Sequence, residues 1–147
     1  MTNLNELYQE LIIDHGRHPR NFKQLPSATT QKEGLNPLCG DRLTLFLQIE
    51  NDVVVDASFE GAGCAISMAS ASLMTESLKG KKIADAKKLF EVFHEMVTGH
   101  PADEALLGKL AVLKGVCDYP MRVKCATLAW HTAMAAIAQS QDPVSTE

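Results

Sequence analysis

No stretch of this sequence is apolar for long enough to span a bilayer, and nothing in it resembles a secretory signal. An excess of basic residues is also missing. Fourteen lysines and arginines stand against 18 acidic residues, a formal net charge of −4, which argues against a nucleic-acid-binding face. Repeats, low-complexity tracts and linkers are absent, so residues 1–147 read as one domain, with the stretch from about Gln141 onward as a flexible tail. A chain of this size buries about two-thirds of the surface it exposes when unfolded, and needs no covalent staple. Cysteine is scarce. There are four, no two of them in C-x-x-C spacing, which removes the generic zinc-finger signature. With no signal segment, the expected compartment is the cytoplasm, where the thiols stay reduced and two disulfides are not expected.

What is present is a chain of short, well-punctuated elements. Leu4, Leu7, Tyr8, Leu11 and Ile12 predict an amphipathic helix that stops near Gly16. The stretch His15 to Arg20 then reads as a polar loop in which His15 and His18 are exposed. Ala28 to Lys32 is a short edge-strand candidate. From Asp41 to Glu50, Leu43, Leu45, Leu47 and Ile49 alternate onto one face, with Phe46 the exception. A tight connection at Asn51-Asp52 leads to a second run, in which Val53, Val55, Ala57 and Phe59 share a face, so the pair reads as a hairpin. Helices follow over Ala65 to Leu78, then along a stripe of Ile83, Ala86, Phe90, Phe93 and Val97, and over Glu104 to Lys114 with Gly108 inside. The last helix carries Ala126, Ala129, Trp130, Ala133, Met134 and Ile137. The pattern predicts an α+β fold, a small antiparallel three-stranded sheet with helices packed on one face.

Three places carry chemistry. Asn36-Pro37-Leu38-Cys39-Gly40-Asp41 runs into the central strand, and Cys39 and Asp41 share the parity of its leucines. Gly61-Ala62-Gly63-Cys64 brackets a sharp turn and sets Cys64 at a helix start, where free amides and the macrodipole favour a thiolate. Cys125 falls in the early turns of the last helix, with Arg122 one turn before it and Lys124 beside it. Each cysteine alone also reads as a small buried core residue. Together they offer three sulfurs and one oxygen, a set that suits tetrahedral zinc, or an iron–sulfur cluster. The carboxylate is the harder and more exchangeable corner. Around a divalent ion the set carries about two excess negative charges, which Arg122 and Lys124 can offset.

Cys39-Gly40-Asp41, Gly61-Ala62-Gly63-Cys64 and Lys124-Cys125, in this order, resemble the U-type iron–sulfur cluster assembly family (IscU/SufU) over nearly the whole chain. In the IscU-like scaffolds a histidine precedes the last cysteine, whereas Lys124 stands here. That lysine, the extra stretch from about Gly99 to Asp118, and the run Arg122 to Leu128 look like the zinc-containing SufU branch. The resemblance implies Cys39, Asp41, Cys64 and Cys125 as metal ligands. It further implies Cys39 as acceptor of persulfide sulfur from a SufS-like cysteine desulfurase, with Arg122 a candidate partner for the Cys39 thiolate. The sulfur would pass toward a downstream cluster-assembly scaffold, without stand-alone turnover. Two alternatives stay open. One is a scaffold assembling a transient [2Fe–2S] cluster, or holding iron, on the same residues. The other is a zinc-stabilised adaptor without sulfur chemistry. Cys117 matches no ligand position of the family and reads as a bystander.

Overall fold

A computed structural model describes residues 2–141. Helix α1 (Thr2–Arg17) is followed by strands β1 (Thr30–Asn36), β2 (Asp41–Glu50) and β3 (Val53–Ala62). Helices α2 (Ala65–Leu78), α3 (Ile83–Val97) and α4 (Glu104–Leu107) come next, then a 3-10 segment (Gly108–Asp118) and the long α5 (Pro120–Gln141). The expected tail beyond Gln141 lies outside the described residues. The sheet is antiparallel in the order β1-β2-β3, with α2 and α5 packed against it, as the alternation of the sequence predicts. Among the described residues no helix is long and apolar enough to cross a membrane.

The β2–β3 connection is a two-residue turn in which Asn51 and Asp52 both take positive φ, 53° and 61°, the geometry that matches the twist of a hairpin. Leu43, Leu45 and Leu47 are buried on one face, and Phe46 and its cross-strand partner Ser58 are buried as well. A register shift opposite Gln48 and Ile49 leaves Val55 as the extra residue of β3. Parity therefore flips at that point. Val54 is buried, whereas Val55, expected inward, is exposed. Strand β1 also differs from expectation. It starts at Thr30 and continues to Asn36, because its ladder with β2 runs to the pair Asn36–Asp41.

Helix α2 is built of small residues, and Ser67, Ala69, Ser70, Ala71 and Ser72 are all buried. Small side chains let backbones approach, and the Ser70 hydroxyl donates across to the Ala126 carbonyl of α5. At the centre of the helical layer Trp130 stacks on Phe93, with ring centroids 4.6 Å apart. The expected helix over Glu104 to Lys114 is replaced by one turn of α-helix and a 3-10 stretch. Gly108 takes φ +56°, which an α-helix cannot contain, and the tighter winding after it still buries Leu110, Val112, Leu113 and Val116.

His15 is the clearest departure. It belongs to α1, is fully buried, and sets Nδ1 2.7 Å from the Ser72 hydroxyl of α2. The same hydroxyl accepts from the Arg20 amide at 2.8 Å, and His15 Nε2 faces the Glu76 carboxylate at 3.8 Å. Burial, then the Arg20 charge, hold the His15 pKa below its ordinary value. His18, by contrast, is exposed as expected.

Candidate metal centre

The centre forms where β1 hands over to β2. Asn36 closes β1, Asp41 opens β2, and the two face each other in register. Between them Pro37 to Gly40 form a turn, with Gly40 at φ +70° in the left-handed region that glycine reaches without strain. The strand geometry thus does not reach back to Cys39. This residue comes to the site from the turn, half-buried, with its amide donating to the Asn36 carbonyl at 3.3 Å.

Asp41 is only 1% exposed. A buried carboxylate is costly unless hydrogen-bonded, and here Oδ1 accepts from the Cys64 amide at 2.9 Å. Oδ2 faces the Asn36 carboxamide Nδ2 at 3.4 Å. Gly63 presses on the same carboxylate, since a Cβ there would fall 2.5 Å from Asp41 Oδ1. Cys64 is the N-cap of α2, its sulfur accepting from the Ser67 amide at 3.4 Å, so one of the helix's orphan donors already points at that sulfur. Cys125, wholly buried on α5, donates to the Cys39 sulfur at 3.3 Å and lies 3.9 Å from Asn36 Nδ2.

One ligand atom from each of Cys39, Asp41 and Cys125 lies within 4.8 Å of the other two. The Cys64 sulfur falls outside that tight group, although its amide is bound to Asp41 and its side chain acts on Cys125. All four cysteines are unpaired. Burial first, and then Cys39, Asp41 and Cys64, push the Cys125 thiol far above its ordinary range. Without a cation, this corner resists gathering negative charge. A divalent ion reverses that balance, and the donor set of thiols and a buried carboxylate fits one with borderline-soft preference.

Arg122 and Lys124 are both exposed on α5, and among the described residues no hydrogen bond or ion pair joins Arg122 to the cluster. Arg122 instead lines a groove of ≈ 900 Å³ beside α1, with Ile12, Ile66, Val116, Cys117 and Tyr119 among its other walls. Cys117 thus belongs to that groove, with its sulfur 3.8 Å from Asp118 Oδ1, and not to the cluster. The residue that the sequence pattern left without a role is Asn36. Its place directly before Pro37, at the entry to the Cys39 turn, was the available signal.

Comparison with known proteins agrees with this geometry. The NifU-like N-terminal domain family matches residues 7–126. The chain is 42% identical over 141 residues to the zinc-dependent sulfurtransferase SufU of Bacillus subtilis, covering 95% of each chain. It is 40% identical over 137 residues to the iron–sulfur cluster assembly scaffold protein IscU of Thermotoga maritima, covering 93% of this chain and 96% of that one. A crystal structure from Fervidobacterium islandicum, described as a scaffold candidate for the SUF system, superposes with a TM-score of 0.85 at 37% identity, covering 90% of this chain and 98% of that one. The chain belongs to the NifU-like N-terminal domain family of U-type iron–sulfur cluster assembly proteins.

Proposed function

We propose that the protein accepts persulfide sulfur on Cys39 from a cysteine desulfurase and passes it toward cluster assembly, with a zinc ion resident at Cys39, Asp41, Cys64 and Cys125. The observation that carries this reading is an asymmetry. Asp41, Cys64 and Cys125 are fixed by a strand, a helix start and a buried helical position, whereas Cys39 rides on a turn beside Gly40, around which lies open space. The similarity to a zinc-dependent sulfurtransferase supports the same choice.

Zinc, when bound, holds the thiolates deprotonated and compensates the charge that the buried corner resists. The rest falls to the chain's own residues. The Gly40 turn lets the Cys39 thiolate swing outward while the other three side chains stay in place. The Cys39 thiolate attacks the outer sulfur of the desulfurase persulfide. A new S–S bond forms on Cys39, the old one breaks, and the desulfurase cysteine leaves as a thiolate that keeps the electron pair. Arg122, exposed one helical turn before Cys125, is a permanent cation available to the thiolate while it is away from the cluster. Unpaired cysteines suit a reducing compartment, and we place the reaction in the cytoplasm.

A second reading, a scaffold that builds a transient [2Fe–2S] cluster on the same side chains, draws on the similarity to the Thermotoga maritima scaffold protein. Metal analysis of protein purified without oxygen separates the two. One zinc per chain, retained through a round of sulfur transfer from desulfurase and cysteine, supports the acceptor. Iron and acid-labile sulfide in equal amounts, with no sulfur added to Cys39, support the scaffold.

A further inference from the structure

Asn36 is outside the proposed donor set, yet its side chain faces two members of that set. It is 7% exposed, and its Nδ2 faces both Asp41 Oδ2, at 3.4 Å, and Cys125 Sγ, at 3.9 Å. Both partners are acceptors once ionised, so the NH2 end of the carboxamide must be the end that faces them. The main chain of the same residue serves a separate purpose, since its carbonyl accepts from the Cys39 amide and closes the turn.

We propose that Asn36 is a positioning residue of the centre, whose carboxamide pins Asp41 and Cys125 in place and so leaves Cys39 as the ligand that departs. The proposal rests on the metal-centre reading above. A carboxylate free to rotate would be the exchangeable corner, but Asp41 is held at both oxygens, by the Cys64 amide on one and Asn36 on the other. Gly63 lies so close to that carboxylate that only the absence of a side chain there leaves room for it. Two donors of one amide group also stabilise negative charge on a carboxylate and a thiolate together while adding no charge of their own. A lysine would add a mobile cation, and an aspartate would add repulsion. Cys39 receives no such side-chain donor from Asn36, and only its main chain is tied to that residue. The side chain therefore divides the set into held ligands and a loose one.

Asn36→Leu keeps the γ-branched outline of the side chain and removes both donors, while the carbonyl bond that closes the turn remains. Asn36→Asp keeps the shape and replaces the donors with a like charge. The test loads each protein with zinc, and separately with cobalt(II), then follows release to a chelator, the sulfur-to-cobalt absorption bands, and melting of the metal-free form. The wild type should hold one equivalent. Asn36→Leu should release metal roughly 10- to 100-fold faster, as the loss of outer-sphere hydrogen bonds does elsewhere. Its cobalt bands should shift, its metal-free melting should stay close to wild type, and Asn36→Asp should release faster still. In an Asp41→Ala background the effect of Asn36→Leu should shrink, because one of its two partners is gone. Wild-type release and cobalt bands in Asn36→Leu would overturn the inference alone. A wild type that binds no stoichiometric metal would overturn the metal reading and the inference with it. Should Asn36→Leu fail to fold, Asn36→Ser is measured in its place, with the same two outcomes decisive.

Discussion

Asp41 and Cys39 are two residues apart and are held in opposite ways. Asp41 opens a strand, is fully buried, and has partners at both carboxylate oxygens. Cys39 sits on a turn, half-buried, tied to the fold by a main-chain bond and by the sulfur of Cys125. From composition alone the carboxylate is the exchangeable ligand and the thiolate the firm one. The proposed departure of Cys39 reverses this order. In that proposal the element that carries a ligand, more than the intrinsic hardness of its donor atom, decides which one moves.

The largest effects should come from the held side. Replacing Cys125 or Cys64 with Ala should abolish stoichiometric zinc binding, measured by metal analysis after gel filtration. The metal-loaded wild type should melt higher than either variant by roughly 10 °C, the consequence of losing about 4 kcal/mol of binding linkage at saturating metal. Zinc retained with unchanged melting in either variant would remove that residue from the set. Next comes the carboxylate. Gly63→Ala should drive a methyl group into Asp41 and weaken metal retention, though no ligand is replaced. Asp41→Ala should weaken it at least as much, while the three thiolates still bind a thiophilic ion. Competition with a chelator reads both, and wild-type retention in Gly63→Ala would mean that the carboxylate can shift freely.

A smaller effect separates the metal corner from the far end of α2. The His15 pKa is depressed on folding, so the unfolded chain takes up the proton first. The stability this contributes is complete above the unfolded value, about 6.5, and is lost as pH falls through the folded one. His131 is depressed by burial, and next by His94, and acts in the same direction. Urea midpoints measured at pH 7.5 and 5.5 should therefore fall with pH, and His15→Gln should flatten that fall. An unchanged slope would mean that folding does not shift the His15 pKa. The smallest effect of all is expected at Cys117, whose replacement by Ser should leave metal content and sulfur transfer unaltered.

Much of this was legible in the sequence, and the exceptions have physical causes. The limits of β2 and α2 follow from an alternation broken only at Phe46 and from the Gly61 to Gly80 punctuation, so both were readable to the residue. Val55 was misjudged because a bulge changes parity without leaving a mark in composition. Gly16 and Pro19 suggest a break and so a loop at His15, whereas its burial depends on Ser72, 57 residues away. Asn36 escaped notice for a similar reason. A carboxamide is a routine turn residue, and its importance arises only when Cys125 arrives from 89 positions later. Cys39, Asp41, Cys64 and Cys125 were singled out by type and order. The contrast between Cys39 on a loop beside Gly40 and two cysteines on helix starts was readable too. The end of strand geometry at Asp41, short of Cys39, was not, because it is set by the pairing of Asn36 with Asp41.

The most direct measurement is the site of the transferred sulfur. The zinc-loaded protein is incubated with a cysteine desulfurase and cysteine, alkylated, and its peptides are mapped by mass spectrometry for one added sulfur atom. The added sulfur should appear on Cys39, disappear in Cys39→Ser, and persist in Cys117→Ser. Sulfur found chiefly on Cys117, Cys64 or Cys125, or undiminished transfer to Cys39→Ser, would contradict the division between a loose acceptor and three held ligands.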